Sequence, residues 1–234
     1  VKQPDYYELR WFTPELEVDL CGHATLGSSY VLFEFVEKTA NRIDFQTQSG
    51  MLTVYRGLLP EFEDSDSIEA PANLLWMDFP SRLGILVDGY PALTKAFGVE
   101  AIETYFAPDI LVVLESADLV ENIQPDFNAL AEVKTEAGIQ TDNFGVIITA
   151  AGEASSGYDF VSRFFAPTVG VPEDPVTGRA HCILTPYWSK RLAKSHLRAC
   201  QVSQRRGEIW CIDAGERVMI GGKVKLYLTG EINL

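Results

Sequence analysis

The alternation of apolar and polar positions predicts short strands separated by turns and interrupted by a few helices. Strand-like runs lie at Tyr7–Phe12, Leu74–Phe79 (closed by Pro80), Ile110–Leu114, Phe144–Thr149 and Asp159–Phe165. Arg42–Thr47 and Met51–Tyr55 read as a hairpin around Ser49-Gly50. Cys200–Gln204 and Glu208–Ile212 read as another, turning at Arg206-Gly207, and Val218–Ile220 and Lys223–Leu228 finish the chain. Apolar residues at helical spacing predict a largely buried helix over Leu26–Phe35. Helices are also predicted over Pro91–Phe97 and Pro125–Thr135, the latter stopped by Gly138, and over Ala180–Lys190 despite Pro186.

Within this pattern lies a diverged internal repeat. Arg10-Trp-Phe-Thr-Pro14 resembles Arg163-Phe-Phe-Ala-Pro167. An acidic stretch, a glycine turn and a helix follow each: Glu17-Val-Asp-Leu-Cys-Gly-His-Ala-Thr25 and Glu173-Asp-Pro-Val-Thr-Gly-Arg-Ala-His181. A hairpin then follows each helix, with Gln46 lying 24 positions after Gly22 and Gln201 lying 23 after Gly178. Three matches in one order at matched spacing predict an α+β fold of two pseudo-symmetric domains. These are residues 1–82 and 83–234, with the final strand able to cross back. The second copy has a long lead-in after Pro80, whereas only nine residues precede Arg10. The imbalance predicts about 50 further residues upstream of Val1 in equivalent domains.

The glycine turns carry the candidate chemistry. A helix N-terminus presents free backbone N–H groups and the positive end of the helix dipole, which together cradle a carboxylate or phosphate. Gly22 and Gly178 open such helices, with Ala24, Thr177 and Arg179 in the same turns. Related by a pseudo-two-fold, the turns would face each other across a small anionic substrate. His23 titrates near neutrality, and burial can tune Asp174 upward, so the two can serve as acid and base in moving a proton off carbon. Capping or turn roles explain either residue equally well in isolation. Cys21 reads as a nucleophile, a proton carrier or simply a small buried apolar residue. His181 reads as packed and His196 as a surface residue.

Composition narrows the field. Apolar residues make up 47% of the 234, enough for a sizeable core, and the net charge of −14 disfavours nucleic acid as a partner. The run Glu61, Glu63, Asp64, Asp66 and Glu69 reads as a solvated loop. No apolar run is long enough to span a membrane, and nothing resembles a signal peptide. Four cysteines without CxxC spacing read as reduced thiols of a cytoplasmic protein, and no metal-ligand spacing is present.

The runs Leu9–Leu26, Phe160–Pro167 and Glu173–Gly178 resemble the phenazine-biosynthesis PhzF-like family, over nearly the whole chain. The resemblance implies a diaminopimelate-epimerase-like fold, each domain a barrel-like, mostly antiparallel sheet around a central helix, with the active site between them. It implies cofactor-independent proton shuttling on a small carboxylic acid, and pairing as a homodimer. It assigns His23 and Asp174 to the active site and Gly22 and Gly178 to substrate binding. The family's principal acid/base, a glutamate in an Asn-x-Ser-Glu-Thr-Ala-Phe-like segment, has no counterpart in these 234 residues. Arg179 stands where many members have a serine; an arginine there could clamp a carboxylate or obstruct the pocket. The alternative is a non-catalytic member that binds a small acid or another protein.

Overall fold

The computed structural model describes residues 1–12, 17–57, 59, 69–139 and 144–231. The first half has three two-residue strands, β1 (Tyr7–Glu8), β2 (Trp11–Phe12) and β3 (Glu17–Val18). Then come α1 (Gly22–Val31), the hairpin β4 (Arg42–Thr47) and β5 (Gly50–Arg56), and β6 (Leu75–Pro80). The second half continues with β7 (Ile85–Val87), α2 (Pro91–Phe97), β8 (Glu103–Phe106), β9 (Ile110–Val113), α3 (Ala117–Asn122) and α4 (Phe127–Glu136). It closes with β10 (Val146–Ala151), β11 (Phe160–Ala166), β12 (Val171–Asp174), α5 (Gly178–Leu192), β13 (His196–Gln201), β14 (Gly207–Asp213) and β15 (Arg217–Gly222).

Among the described residues, one 13-stranded sheet runs through both halves in the order β1-β4-β5-β6-β15-β14-β13-β11-β10-β9-β8-β7, with β12 beside β11. Pairing is antiparallel except at β1–β4, β9–β10 and β11–β13. The halves join where β15 pairs with β6, Ile220 opposite Met77. The fold is thus α+β with a large, mostly antiparallel sheet and few helices.

Successive side chains of a strand point to opposite faces. On β11, Phe160 and Phe164 enter the core that holds α1 and α5, while Val161 and Phe165 enter a second core beneath α2, α3 and α4. A strand apolar on both faces reads as a continuous run because both faces are covered. Phe160 and Phe165 are fully buried, each burial contributing about 1.5–3 kcal/mol.

The structure departs from the sequence reading in places. Tyr7–Phe12 is not one strand, because its ends take different partners: β1 lies beside β4, while β2 pairs with β3. The helix expected over Leu26–Phe35 starts at Gly22 and loosens into a π-type turn over Leu32–Val36. The strand expected over Cys200–Gln204 begins four residues earlier, at His196, so His196 is buried, not on the surface, with Nδ1 3.0 Å from Ser195 Oγ. Lys223–Leu228 forms no strand: it has no pairing partner among the described residues, and Leu226, Tyr227 and Leu228 are exposed. Glu69 is exposed, whereas Glu61, Glu63, Asp64 and Asp66, like Thr13 and Pro14 of the first repeat motif, lie outside the described residues.

Pro186 sits inside α5 without ending it. A proline lacks the N–H that would bond the carbonyl four residues back. That carbonyl, on Cys182, instead accepts the backbone N–H of Arg82 at 2.8 Å, from the connection between the halves.

Candidate active site

The repeat is visible in hydrogen bonds as well as in motifs. Arg10 makes a two-pronged ion pair with Glu17 at 2.8 and 2.7 Å, and Arg163 makes one with Glu173 at 2.7 and 2.9 Å. Each fork ties the motif arginine to the first residue of the acidic stretch that precedes its glycine. Thr25, three residues after Gly22, donates its hydroxyl to the Cys21 carbonyl at 2.6 Å. His181, three after Gly178, places Nδ1 2.8 Å from the Thr177 carbonyl. A carbonyl only accepts, so Nδ1 carries the proton. Burial pushes the His181 pKa down to about 4, so the ring is neutral near pH 7. Ser49 and Ser203 hydroxyls donate at 2.8 Å to the carbonyls of Asp19 and Pro175, each three residues before its glycine. By this tie Gln201 is the counterpart of Thr47, one position beyond the Gln46 match read from sequence.

The two helix starts touch. A Cβ built on Gly22 would come 2.7 Å from Gly178 Cα, and one on Gly178 would come 2.9 Å from Gly22 Cα. Close approach of two backbones, rather than a left-handed conformation, requires glycine here. The residues before them share an extended conformation, Cys21 at φ −138° and ψ 104°, Thr177 at φ −117° and ψ 101°. Neither side chain caps its helix, and neither first turn holds an acidic residue. Two positive helix ends therefore converge with no side-chain anion of their own.

A cavity of about 130 Å³ opens at this junction, bordered by Cys21, Gly22, His23, Asp174, Thr177, Gly178 and Arg179 with apolar walls that include Val18, Phe144 and Phe164. Sequence reasoning named six of these seven, all but Cys21, as catalytic or substrate-binding residues, and the fold brings the six to one cavity. Ala24 packs against the core instead of bordering the cavity. A larger cavity of about 420 Å³ shares His23 and Gly178 and is bordered by Leu26, His181 and Ile220.

Asp174 ends β12, half-buried. Burial is the main influence on its carboxyl and raises its pKa, against the opposing pull of the Thr177 hydroxyl and the His23 charge. Thr177 Oγ1 donates to Asp174 Oδ2 at 2.6 Å. His23 stands at the mouth, exposed, with Cys21 Sγ 3.8 and 3.7 Å from its two ring nitrogens. The sulfur is the largest influence on the ring and, with the Asp174 charge, raises its pKa against the partial loss of solvent around the ring. One acid held above its usual range thus faces one base held above its own.

Arg179 turns away from the cavity's centre. Its Nε and Nη2 both reach the fully buried Asp109 at 2.8 Å, and Nη1 lies 3.4 Å from Asp19. Burial is the largest influence and opposes the guanidinium charge, but Asp109 and Asp19 together raise the pKa. Asp109 also accepts the Gly145 N–H at 2.7 Å. Arg82 reaches Asp19 at 3.5 Å, linking the connection between halves to the same cluster. Asp109, Asp19, Arg82 and Gln201 escaped sequence reasoning as site residues. Only Gln201 and Asp19 left a signal, as parts of the repeat. Among the described residues, no three His, Cys, Asp or Glu side chains gather as metal ligands would, and no helix is long and apolar enough to cross a membrane.

The α+β fold, with its large, mostly antiparallel sheet and few helices, is shared with solved PhzF-family and racemase-like structures. At the level of fold alone, the chain is similar to a probable proline racemase from Agrobacterium radiobacter, at 12% identity and a TM-score of 0.61, covering 100% of this chain and 74% of that one. It is far more similar to a PhzF-family phenazine biosynthesis protein of Enterococcus faecalis, at 40% identity and a TM-score of 0.81, covering 100% of this chain and 81% of that one. A Pseudomonas aeruginosa protein named as an uncharacterized isomerase is 43% identical over 235 residues, 100% of this chain and 80% of the relative. The phenazine biosynthesis-like (PhzC-PhzF) family model matches residues 1–230, and the chain belongs to that family.

Proposed function

We propose that the protein isomerises or epimerises a small carboxylic acid by acid/base proton transfer at carbon, without a cofactor, at the junction of the two halves. The single observation that carries this reading is the convergence of two uncapped helix starts on a cavity bordered by Asp174 and His23. The substrate carboxylate accepts backbone N–H bonds at Gly22 and Gly178, beside Thr177. That fixes the neighbouring C–H bond against the acid/base pair. One group removes the proton from carbon, and a proton returns to the other face of that carbon or, where a neighbouring double bond shifts, to a second carbon. Atoms and charge balance, and no electron leaves the substrate. Asp174 and His23 are this chain's acid/base groups, alongside any glutamate of the family type. Arg179 adds positive charge near the anion while its fork stays on Asp109.

Solvent exchange tests the reading. The complete protein is incubated in deuterium oxide with a panel of cyclic and amino-acid-like carboxylates. Deuterium entering a substrate C–H, and its loss in Asp174→Asn and His23→Gln, supports isomerisation. Binding of the acids with no exchange across the panel sinks it and supports a small-acid-binding or protein-interaction member. Reduced thiols and the pairing habit of the resembling family lead us to place the protein in the cytoplasm as a homodimer. Sedimentation of the complete protein as a monomer at micromolar concentration would overturn the pairing.

A further inference from the structure

We propose that Gln201 is a positioning residue: it commits the single hydroxyl proton of Thr177 to Asp174 Oδ2, leaving Oδ1 as the oxygen that exchanges protons in the cleft. The part concerning proton exchange rests on the isomerase reading; the hydrogen-bond assignment does not.

Gln201 is fully buried at the end of β13. Its Oε1 accepts the Thr177 backbone N–H at 2.8 Å, and its Nε2 donates to the Asp174 carbonyl at 2.7 Å. A backbone N–H only donates and a carbonyl only accepts, so these two bonds fix which end of the amide is which. The second Nε2 proton meets Thr177 Oγ1 at 3.1 Å. That bond uses the hydroxyl as an acceptor. A hydroxyl has one proton, and Asp174 Oδ2 lies 2.6 Å away to receive it. Oδ2 is thereby held as an acceptor in both protonation states. When Asp174 is neutral, its proton sits on Oδ1.

The other half of the repeat supplies a natural comparison. Four residues before Gly22 stands Val18, where Asp174 stands four before Gly178. Thr47, the counterpart of Gln201, spends its hydroxyl on Gly50 O at 2.8 Å within its own turn. The half without the acid also lacks the relay, so acid and relay occur together. The other titratable or charged groups around Asp174 are His23 on α1, Cys21 at the head of that helix, and Arg179 on α5, held by Asp109. Arg205, in the turn after β13, acts on His23.

The experiment follows the Asp174 carboxyl carbon by NMR titration in the complete protein, with the backbone amide spectrum as the check on folding. A hydrogen bond to a carboxylate favours its charged form, so losing it raises the pKa. Thr177→Val and Gln201→Met are expected to move the midpoint up by about one pH unit. Thr177→Ser, which keeps the hydroxyl, is expected to hold it within a few tenths. The acidic limb of deuterium exchange should move with the midpoint. A folded Thr177→Val protein with an unmoved midpoint overturns the assignment, even if Gln201→Met fails to fold. A midpoint that moves while the exchange profile stays fixed overturns the role of Oδ1. A midpoint that moves in a protein showing no exchange with any substrate supports the hydrogen-bond assignment and defeats the isomerase reading.

Discussion

Replacing Gly178 by alanine puts a methyl group where Gly22 already is. The new Cβ would lie 2.9 Å from Gly22 Cα, and the reciprocal change at Gly22 would bring one to 2.7 Å, while ordinary contact begins near 3.4 Å. The atoms in the way are backbone, which cannot swing aside as a side-chain tip can. The helix starts must separate by 0.5 Å for Gly178→Ala and 0.7 Å for Gly22→Ala, in a buried region. Overpacking of this kind costs about 1–3 kcal/mol. For a chain of this size that is roughly 2–12 °C in Tm. Gly27→Ala is the control: it lies in α1, and its Cβ would meet nothing within 4 Å. Relief of glycine's backbone freedom should make that variant more stable by about 0.5–1 kcal/mol. Calorimetry reads the three side by side, and titration with small carboxylates reads the cradle. Gly22→Ala should fall furthest, Gly178→Ala next, and both should bind carboxylates more weakly. If Gly178→Ala melts with Gly27→Ala, above the wild type, the close-approach argument is wrong.

The remaining expectations concern charge. Asp109→Ala strands the buried Arg179 guanidinium, so it should cost about 3–5 kcal/mol by denaturant unfolding, if the protein folds at all; a loss below 1 kcal/mol would show that Asp19 alone suffices. The folded pKa of Asp174 is raised by burial, so its ionised form costs stability above that pKa and nothing below the unfolded value. Asp174→Asn should therefore gain Tm relative to the wild type at pH 8 and lose that gain near pH 3.5; a gain independent of pH would argue against burial as the cause. The folded pKa of His23 is raised, so its stabilising contribution is full below the unfolded pKa and is lost as pH rises through the folded one. His23→Gln should be less stable than wild type at pH 5.5 and equal to it at pH 9, read by Tm. His181, with a pKa of about 4, should show no ring titration by NMR between pH 5 and 9.

How much of this could be read from the residues varies with the physics involved. The glycine turns and the Arg-Phe-Pro motifs were legible because each needs a particular side chain: a fork for a carboxylate, or no Cβ where backbones meet. The core of β11 was legible as a strand, but its two-sided burial says nothing about which strands flank it. A single sheet through both halves was therefore not in the pattern. Lys223–Leu228 alternates as a strand does, yet alternation cannot supply a partner. His196 was misjudged from its basic neighbours, because charge nearby in the sequence does not show that the residue opens a buried strand. The partner of Arg179 could not be read, since Asp109 lies 70 positions earlier in an Ala-Pro-Asp turn that announces nothing. The one-residue slip between Gln46 and Gln201 came from matching letters, whereas the register is set by Ser49 and Ser203 reaching back to their turns.

The proline within α5 has a consequence for motion. By vacating the Cys182 carbonyl, Pro186 lets the connection between the halves attach there through Arg82. That connection is therefore tied to α5, and a pivot at residue 82 would have to break the bond from Arg82 N–H to the Cys182 carbonyl. The exchange rate of the Arg82 amide then reports detachment of the connection from a helix about 100 residues away in the chain.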